Sequence, residues 1–309
     1  MTRAVVFAYH NVGVRCLKAL LGRSVDVALV VTHQDSPGET IWFDSVAQLA
    51  RDYAIPTITP DDPNSPEVLA QIAALNPDFL FSFYYRKMLR APLLALATRG
   101  AYNMHGSLLP KYRGRVPINW ALIHGESETG ATLHVMNVKP DNGPIIDQFA
   151  VPILPDDSAS EVFNKVVVAA EIVLWRSLPA LISGTEHATE QDLSLGGYFG
   201  GRKPEDGRID PNLSAQDLHN FVRALSRPYP GGFADTEYGR LIIWKTRLAP
   251  DRSQAKPGTS ACLRLKDGVL LLQAADGGVL YVLDAQLDGQ TLDAATFAVC
   301  CGERASLSI

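Results

Sequence analysis

The chain has 309 residues, of which 47% are hydrophobic and 20% charged, and a net charge of −5. This composition excludes a disordered chain and suits one large core with a smaller second unit. The acidic balance without a Lys/Arg stripe argues against bulk nucleic acid as the main partner, and no apolar run reaches the roughly eighteen residues that a membrane span needs.

The start, Met1 to Ala8, is too short an apolar run for a signal peptide and is followed at once by Tyr9-His10-Asn11; it reads as a first buried strand, Ala4–Ala8. Val12–Leu21 has apolar residues at helical spacing, and Val25–Thr32 is valine-rich like a buried parallel strand. Ser45–Tyr53 and Ser65–Leu75 read as helices, with Ser45 placed as an N-cap. Phe79–Phe83, Ala101–His105 and Ala131–Met136 complete an alternation that predicts a Rossmann-like parallel sheet wrapped by helices. Ligands of such sheets sit beyond the carboxyl ends of the strands, where Tyr9-His10-Asn11, Tyr84-Tyr85-Arg86 and Asn103 to Ser107 fall.

Ser158–Ile182 reads as a long helix, with Val162, Val166, Val167, Ile172 and Leu174 on its inner side. Ser183 to about Pro211 is polar and rich in Gly and Pro, like a linker. Beyond it come one helix, Ser214–Ala224, and five β-like runs, Gly232–Thr236, Leu241–Leu248, Ser260–Leu265, Val269–Ala274 and Val279–Leu283. They fit a small antiparallel, OB-like β-barrel, so the expected division is a catalytic domain over 1–205 and a barrel domain over 206–309. Cys16, Cys262, Cys300 and Cys301 contain no Cys-x-x-Cys pair and read as free thiols of a reducing cytoplasm.

Two chemistries are disfavoured. A dinucleotide site needs Gly-x-Gly-x-x-Gly after the first strand, and Tyr9 to Val14 offers only Gly13. No His-Glu-x-x-His is present, and Asp156-Asp157 reads as a helix start, so no metal is expected.

The densest segment runs from Ala101 to Trp120. Asn103 and His105, two apart at a strand end, share a face. Lys139-Pro140-Asp141-Asn142-Gly143 makes a second loop after the strand that carries His134. Acyl transfer to an amine needs a donor aimed at the developing oxyanion, which an Asn amide supplies, and a group that moves protons near neutrality, which a His supplies. A carboxylate beside that His stabilises its charged form. Asn103, His105 and Asp141 are the candidates. His134, inside a strand, reads as a packed, hydrogen-bonded residue, and His10, His33, His124, His187 and His219 read as structural or solvated.

Asn103-x-His105, then Ser107-Leu-Leu-Pro-Lys-Tyr-Arg-Gly114, then Asp141-x-Gly143 strongly resemble the signature of folate-dependent formyltransferases. Phe7-Ala-Tyr-His10, Phe81-Ser-Phe-Tyr-Tyr-Arg86 and Asn119 to Gly130 look most like the branch acting on UDP-4-amino-4-deoxy-L-arabinose, in lipid A modification and polymyxin resistance. The tRNA-formylating branch resembles it less, since it typically has Ala where this chain has Gly106. The resemblance implies Asn103 as transition-state stabiliser, His105 as proton-transfer residue and Asp141 as its carboxylate partner. It implies 10-formyltetrahydrofolate as co-substrate, bound along Lys87, Met88 and Leu89, at Arg115, and along Asn137, Val138, Lys139, Pro140 and Asp141. Tyr9, Ser107 and Arg202 are expected on the nucleotide-sugar side. The related bifunctional enzyme continues into a decarboxylase domain absent from these residues, so oxidative decarboxylation is expected from another polypeptide.

Overall fold

A computed structural model describes residues 1–36, 38, 40–250, 260–302 and 306–309. The chain divides into two units: Met1–Pro117 with Glu128–Pro152 and Phe163–Gly200, and Ile118–Ser127 with Ile153–Val162 and Gly201–Ile309.

In the first unit β1 (Arg3–Ala8), α1 (His10–Gly22), β2 (Asp26–Val31), α2 (Val46–Asp52), β3 (Thr57–Ile58), α3 (Pro66–Leu75), β4 (Phe79–Phe83), α4 (Ala91–Leu94) and β5 (Gly100–His105) alternate in the rhythm that the sequence predicts. Ser45 and Ser65 are N-caps, their hydroxyls accepting the Gln48 and Val68 N–H groups that the first turns leave unpaired. Val68, Ile72 and Leu93 pack on Val5, Phe7, Leu29 and Leu80, which explains why β1, β2 and β4 read as continuous apolar runs.

After β6 (Arg113–Gly114) and α5 (Pro117–Ile123) come β7 (Glu128–Val135), β8 (Ile145–Pro152), α6 (Ala159–Ser183) and β9 (Tyr198–Phe199). The main sheet has seven strands in the order β3-β2-β1-β4-β5-β7-β8. Its first five strands are parallel, but β7 runs antiparallel to both β5 and β8, where the sequence rhythm suggests parallel pairing throughout. The 136–144 connection is too short for a crossover, so β8 must reverse. β8 escapes the sequence reading because Ile145–Pro152 mixes polar Asp147 and Gln148 with apolar residues.

Helix α6 is long and apolar enough, by length and composition, to cross a membrane. Val166, Ala169, Ala170, Val173, Leu174 and Leu178 are buried, however, which makes it a core helix. It lies along α1, joined by the Arg15–Glu171 ion pair and by Arg23 over the Trp175 ring.

The second unit holds α7 (Ala215–Ala224), β10 (Gly232–Thr236), β11 (Gly239–Leu248), β12 (Cys262–Lys266), β13 (Val269–Gln273), β14 (Val279–Leu287), β15 (Gln290–Thr291), α8 (Ala294–Cys301) and β16 (Ser306–Ser308). An antiparallel sheet in the order β10-β11-β14-β13-β12-β16 curls into a small, nearly closed barrel. Its core includes Leu218, Val222, Leu241, Ile243, Leu263, Leu272, Leu280 and Phe297. Two earlier segments belong to this unit because side chains tie them in. The Asn119 amide donates to the Ala224 carbonyl (2.7 Å), and His219 Nε2 donates to that of Pro155 (3.0 Å).

Phe81, fully buried in the middle of β4, stacks between Phe83 and Tyr102. Phe81→Ala is expected to destabilise the first unit by about 3–5 kcal/mol, and Val168→Ala, on the exposed side of α6, by less than about 0.5 kcal/mol, as read by denaturant unfolding.

Candidate active site

The antiparallel β5–β7 pairing builds the site. Asn103 lies opposite His134 and His105 opposite Thr132. The loop that leaves β7 then carries Asp141 back over the strand ends. The three residues picked from the sequence converge: Asp141 Oδ1 lies 3.5 Å from His105 Nδ1 and 3.5 Å from Asn103 Nδ2. His134 joins them, with Nε2 3.1 Å from Asn103 Nδ2 and 3.5 Å from Asp141 Oδ1. His134 is indeed a buried, hydrogen-bonded strand residue, but its partners are the site residues themselves. That role is invisible until the strand register is known.

Hydrogen bonds fix two tautomers. His134 Nδ1 lies 2.9 Å from the Val135 carbonyl oxygen, which can only accept, so Nδ1 carries a proton. In the neutral ring Nε2 is then an acceptor, and the Asn103 amide donates to it. The second Asn103 N–H, at the long 3.5 Å contact with Asp141, is the one able to turn to another acceptor. His105 Nε2 donates to the Tyr112 carbonyl (2.8 Å), leaving Nδ1 as the nitrogen that faces the carboxylate.

Asp141 is held from several directions. The Gly114 N–H donates to Oδ2 (2.8 Å), and Gln191 Nε2 donates to the carbonyls of Asp141 (3.0 Å) and Gly143 (2.6 Å). The buried Arg113 guanidinium donates to Asn142 Oδ1 (3.0 Å) and to the Leu193 and Gly196 carbonyls (3.0 and 2.9 Å). Gly114 has φ +98°, and a Cβ there would stand 2.3 Å from the Phe199 carbonyl oxygen, so only glycine lets β6 run beside β9 and offer this N–H. Burial pushes the Asp141 carboxyl up, but His105, His134 and the Gly114 N–H together outweigh it and hold the group well below the usual carboxylate range.

Of the ten non-glycine residues with left-handed φ among the described residues, five lie in or near the site and five elsewhere. The first five are His10, Tyr84, Tyr112, Val116 and Asp141, at φ 66°, 57°, 56°, 48° and 55°. Such conformations persist only where surrounding contacts over-determine them.

A cavity of about 510 Å³ opens over Asn103, His105, His134 and Asp141, a size in the range of small-molecule sites. Lys87, Met88, Leu89, Arg115, Asn137 and Pro140, which the resemblance places along the folate, are among its lining residues. Lys87 Nζ also ties the wall to the Pro60 and Asp61 carbonyls (2.9 and 2.5 Å). Val138 and Lys139 are exposed and outside the lining. Tyr9 is buried, its hydroxyl donating to Asp35 (2.7 Å), and Ser107 is fully buried, its hydroxyl donating to the Lys111 carbonyl (2.6 Å). Both shape the strand ends and neither lines the cavity. Arg202 belongs to the second unit, where it lies over the Trp120 and Phe221 rings and bonds the Asp206 carbonyl. Tyr84, Gly106, Met136 and Tyr198, to which the sequence assigned no individual role, also line the cavity. Tyr84 stood in a strand-end cluster that the sequence reading flagged, whereas Tyr198 lies in the apparent linker and comes in only through β9.

Among the described residues no group of three or more His, Cys, Asp or Glu side chains could hold a metal ion. The family model described as formyl transferase matches residues 3–178, and that of the formyl transferase C-terminal domain matches residues 202–300. The chain belongs to the formyl transferase family. Similar solved structures under 25% identity share its fold. An N-formyltransferase from Helicobacter canadensis, in complex with folinic acid and dTDP-3-aminofucose, has 20% identity and a TM-score of 0.69, covering 94% of this chain and 100% of its own. WlaRD, a sugar 3N-formyl transferase in the presence of dTDP and 5-N-formyl-THF, has 19% identity and a TM-score of 0.69, covering 94% and 98%. HypX from Aquifex aeolicus has 17% identity and a TM-score of 0.63, covering 96% of this chain and 47% of its own.

The Asp141 carboxyl of this formyl transferase is depressed in the folded chain. Its contribution to stability is therefore complete above the unfolded-state value of about 3.9 and is lost as pH falls through the folded value. The advantage of the parent over Asp141→Asn, read by denaturant unfolding, is expected to hold steady down to about pH 5 and shrink towards pH 3. An advantage that grows with acidity contradicts this assignment.

Proposed function

We propose that this formyl transferase moves the formyl group of 10-formyltetrahydrofolate to the 4-amine of UDP-4-amino-4-deoxy-L-arabinose. The observation that carries the reading is the convergence of Asn103, His105 and Asp141 on one cavity of a formyl transferase chain. The acceptor rests on the sequence resemblance along Phe7 to His10, Phe81 to Arg86 and Asn119 to Gly130. Support for a nucleotide-linked amino sugar and a reduced folate comes from the Helicobacter protein, in complex with folinic acid and dTDP-3-aminofucose, and from WlaRD, a sugar 3N-formyl transferase in the presence of dTDP and 5-N-formyl-THF. The residues present suit the folate. Leu89, Leu94 and Met136 offer an apolar wall, and Asn137 and the 140–141 backbone a polar edge, as a flat heteroaromatic ring requires.

The folate supplies the activated formyl group. The amine enters as free base, and negative charge builds on the formyl oxygen as it adds. Asn103, already held by His134, turns its second N–H to that oxygen. Its placement beforehand is what makes the donor effective, since nothing need reorganise as charge appears. The amine must lose one proton and the folate nitrogen gain one. His105 Nδ1, facing Asp141 at 3.5 Å without a tight bond, is the atom that handles the proton. The carboxylate stays ionised throughout and steadies the imidazolium.

Incubation with 10-formyltetrahydrofolate and, in parallel, the UDP-amino sugar, other nucleotide-linked amino sugars and charged initiator tRNA, followed by mass spectrometry, tests the acceptor. Formylation of the UDP sugar above the rest is expected; preferential formylation of tRNA overturns it. Asn103→Ala is expected to lower kcat about 100- to 1,000-fold. His105→Ala and Asp141→Asn, if folded and near-normal in turnover, remove the mechanism.

A further inference from the structure

We propose that Tyr84 and Gly106 form an interlocking wall on the acceptor side of the cavity, and that this steric pair sets which amine reaches Asn103 and His105. The inference rests on the formyl-transfer reading and names the part of the site that selects its acceptor.

Tyr84 and Tyr85 leave the end of β4 in opposite directions. Tyr85 packs against Phe7 and stacks on His33, within the apolar cluster that includes Leu89 and Met136. That is the end suited to the folate ring. Tyr84 turns the other way, its ring 5.9 Å from Phe163 and 6.4 Å from His10. Its backbone is left-handed, φ 57°, a conformation that disfavours a tyrosine and so must be imposed by its surroundings.

The hydroxyl of Tyr84 is buried against Gly106, the residue directly after His105. A Cβ at position 106 would stand 2.0 Å from Tyr84 Oη, 3.1 Å from Tyr84 Cζ and 3.6 Å from Pro117 Cγ. The phenol therefore fills the volume that any side chain at 106 would take. Gly106 shows no left-handed φ, so the requirement is space and not backbone freedom. Both residues line the cavity that holds Asn103 and His105. Moving the phenol moves the wall beside the reacting centre and leaves the Leu89–Met136 end untouched.

The test is a double-substitution cycle with steady-state kinetics on the amine that the parent formylates, beside titration with 5-formyltetrahydrofolate and a thermal melt. Gly106→Ala is expected to raise the acceptor KM about tenfold or more, because the phenol is overpacked and driven into the cavity. Affinity for 5-formyltetrahydrofolate stays unchanged. Tyr84→Phe in the Gly106→Ala background removes the 2.0 Å clash and restores most of the loss. Tyr84→Ala widens the range of amines accepted. A parental KM in Gly106→Ala, no recovery in the double variant, or a loss confined to folate affinity overturns the proposal. Should Gly106→Ala alone not fold, the double variant must fold and Tyr84→Ala must change acceptor selectivity; failure of either overturns it. A parent that formylates no amine overturns the formyl-transfer reading and this inference together, whereas an active parent with indifferent variants overturns this inference alone.

Discussion

One buried carboxylate organises the site. Asp141 faces two imidazoles, His105 and His134, and takes the Gly114 N–H, while its own backbone is bent into a left-handed turn. An isolated ionised carboxylate is costly to bury, and a half-partnered one would take up a proton. Here the partners outweigh the burial, so the charge survives beside two histidines. The clamp around it, Gln191 on the flanking carbonyls and Arg113 on Asn142, consists of residues remote in sequence from Asp141. The segment around residues 191–199, polar and linker-like in composition, is thus part of the machinery that positions the chemistry.

The reversal of β7 is the second constraint. Because β7 runs antiparallel, its carboxyl end points away from the carboxyl end of β5, and the 136–144 loop has to bring Asp141 back; a parallel β7 would not set His134 opposite Asn103. Antiparallel pairing sets the amide against the imidazole, and the bonded Val135 carbonyl fixes which nitrogen of that imidazole accepts. Asn103 is thereby held in one orientation by the scaffold itself, the preorganisation that the proposed role of its amide requires. Thr132, one step along the same face, accepts the Leu109 N–H and donates to the Ser107 carbonyl, so the same strand also shapes the loop after His105.

Strain and packing divide the cavity. Its apolar end is continuous with the core beneath β1 and β4, and so is as rigid as that core. Its other end is made of residues in uncommon backbone conformations, Tyr84 and Val116 among them, and of a glycine with no room for a side chain.

Much of this was legible in the sequence. The strand–helix alternation follows from apolar runs and serine caps, because period and capping are local properties of the chain. Asn103 and His105 share a face by strand alternation alone, and the Asn-x-His, Ser-Leu-Leu-Pro and Asp-x-Gly pattern pointed to Asp141 and to formyl transfer. Strand direction, β8, α8 and β16 were not legible, because pairing depends on partners distant in the chain. For the same reason His134 looked like an ordinary packed residue, Ser107 and Tyr9 looked available for a substrate, and Tyr198 looked like linker. The sequence by itself singled out Asn103, His105 and Asp141 as candidates and set out most of the strand–helix alternation that holds them. Only the tertiary structure decided which imidazole fixes the amide, which side chains are consumed by the scaffold and which form the wall, since these depend on register and close contact between segments that no local pattern links.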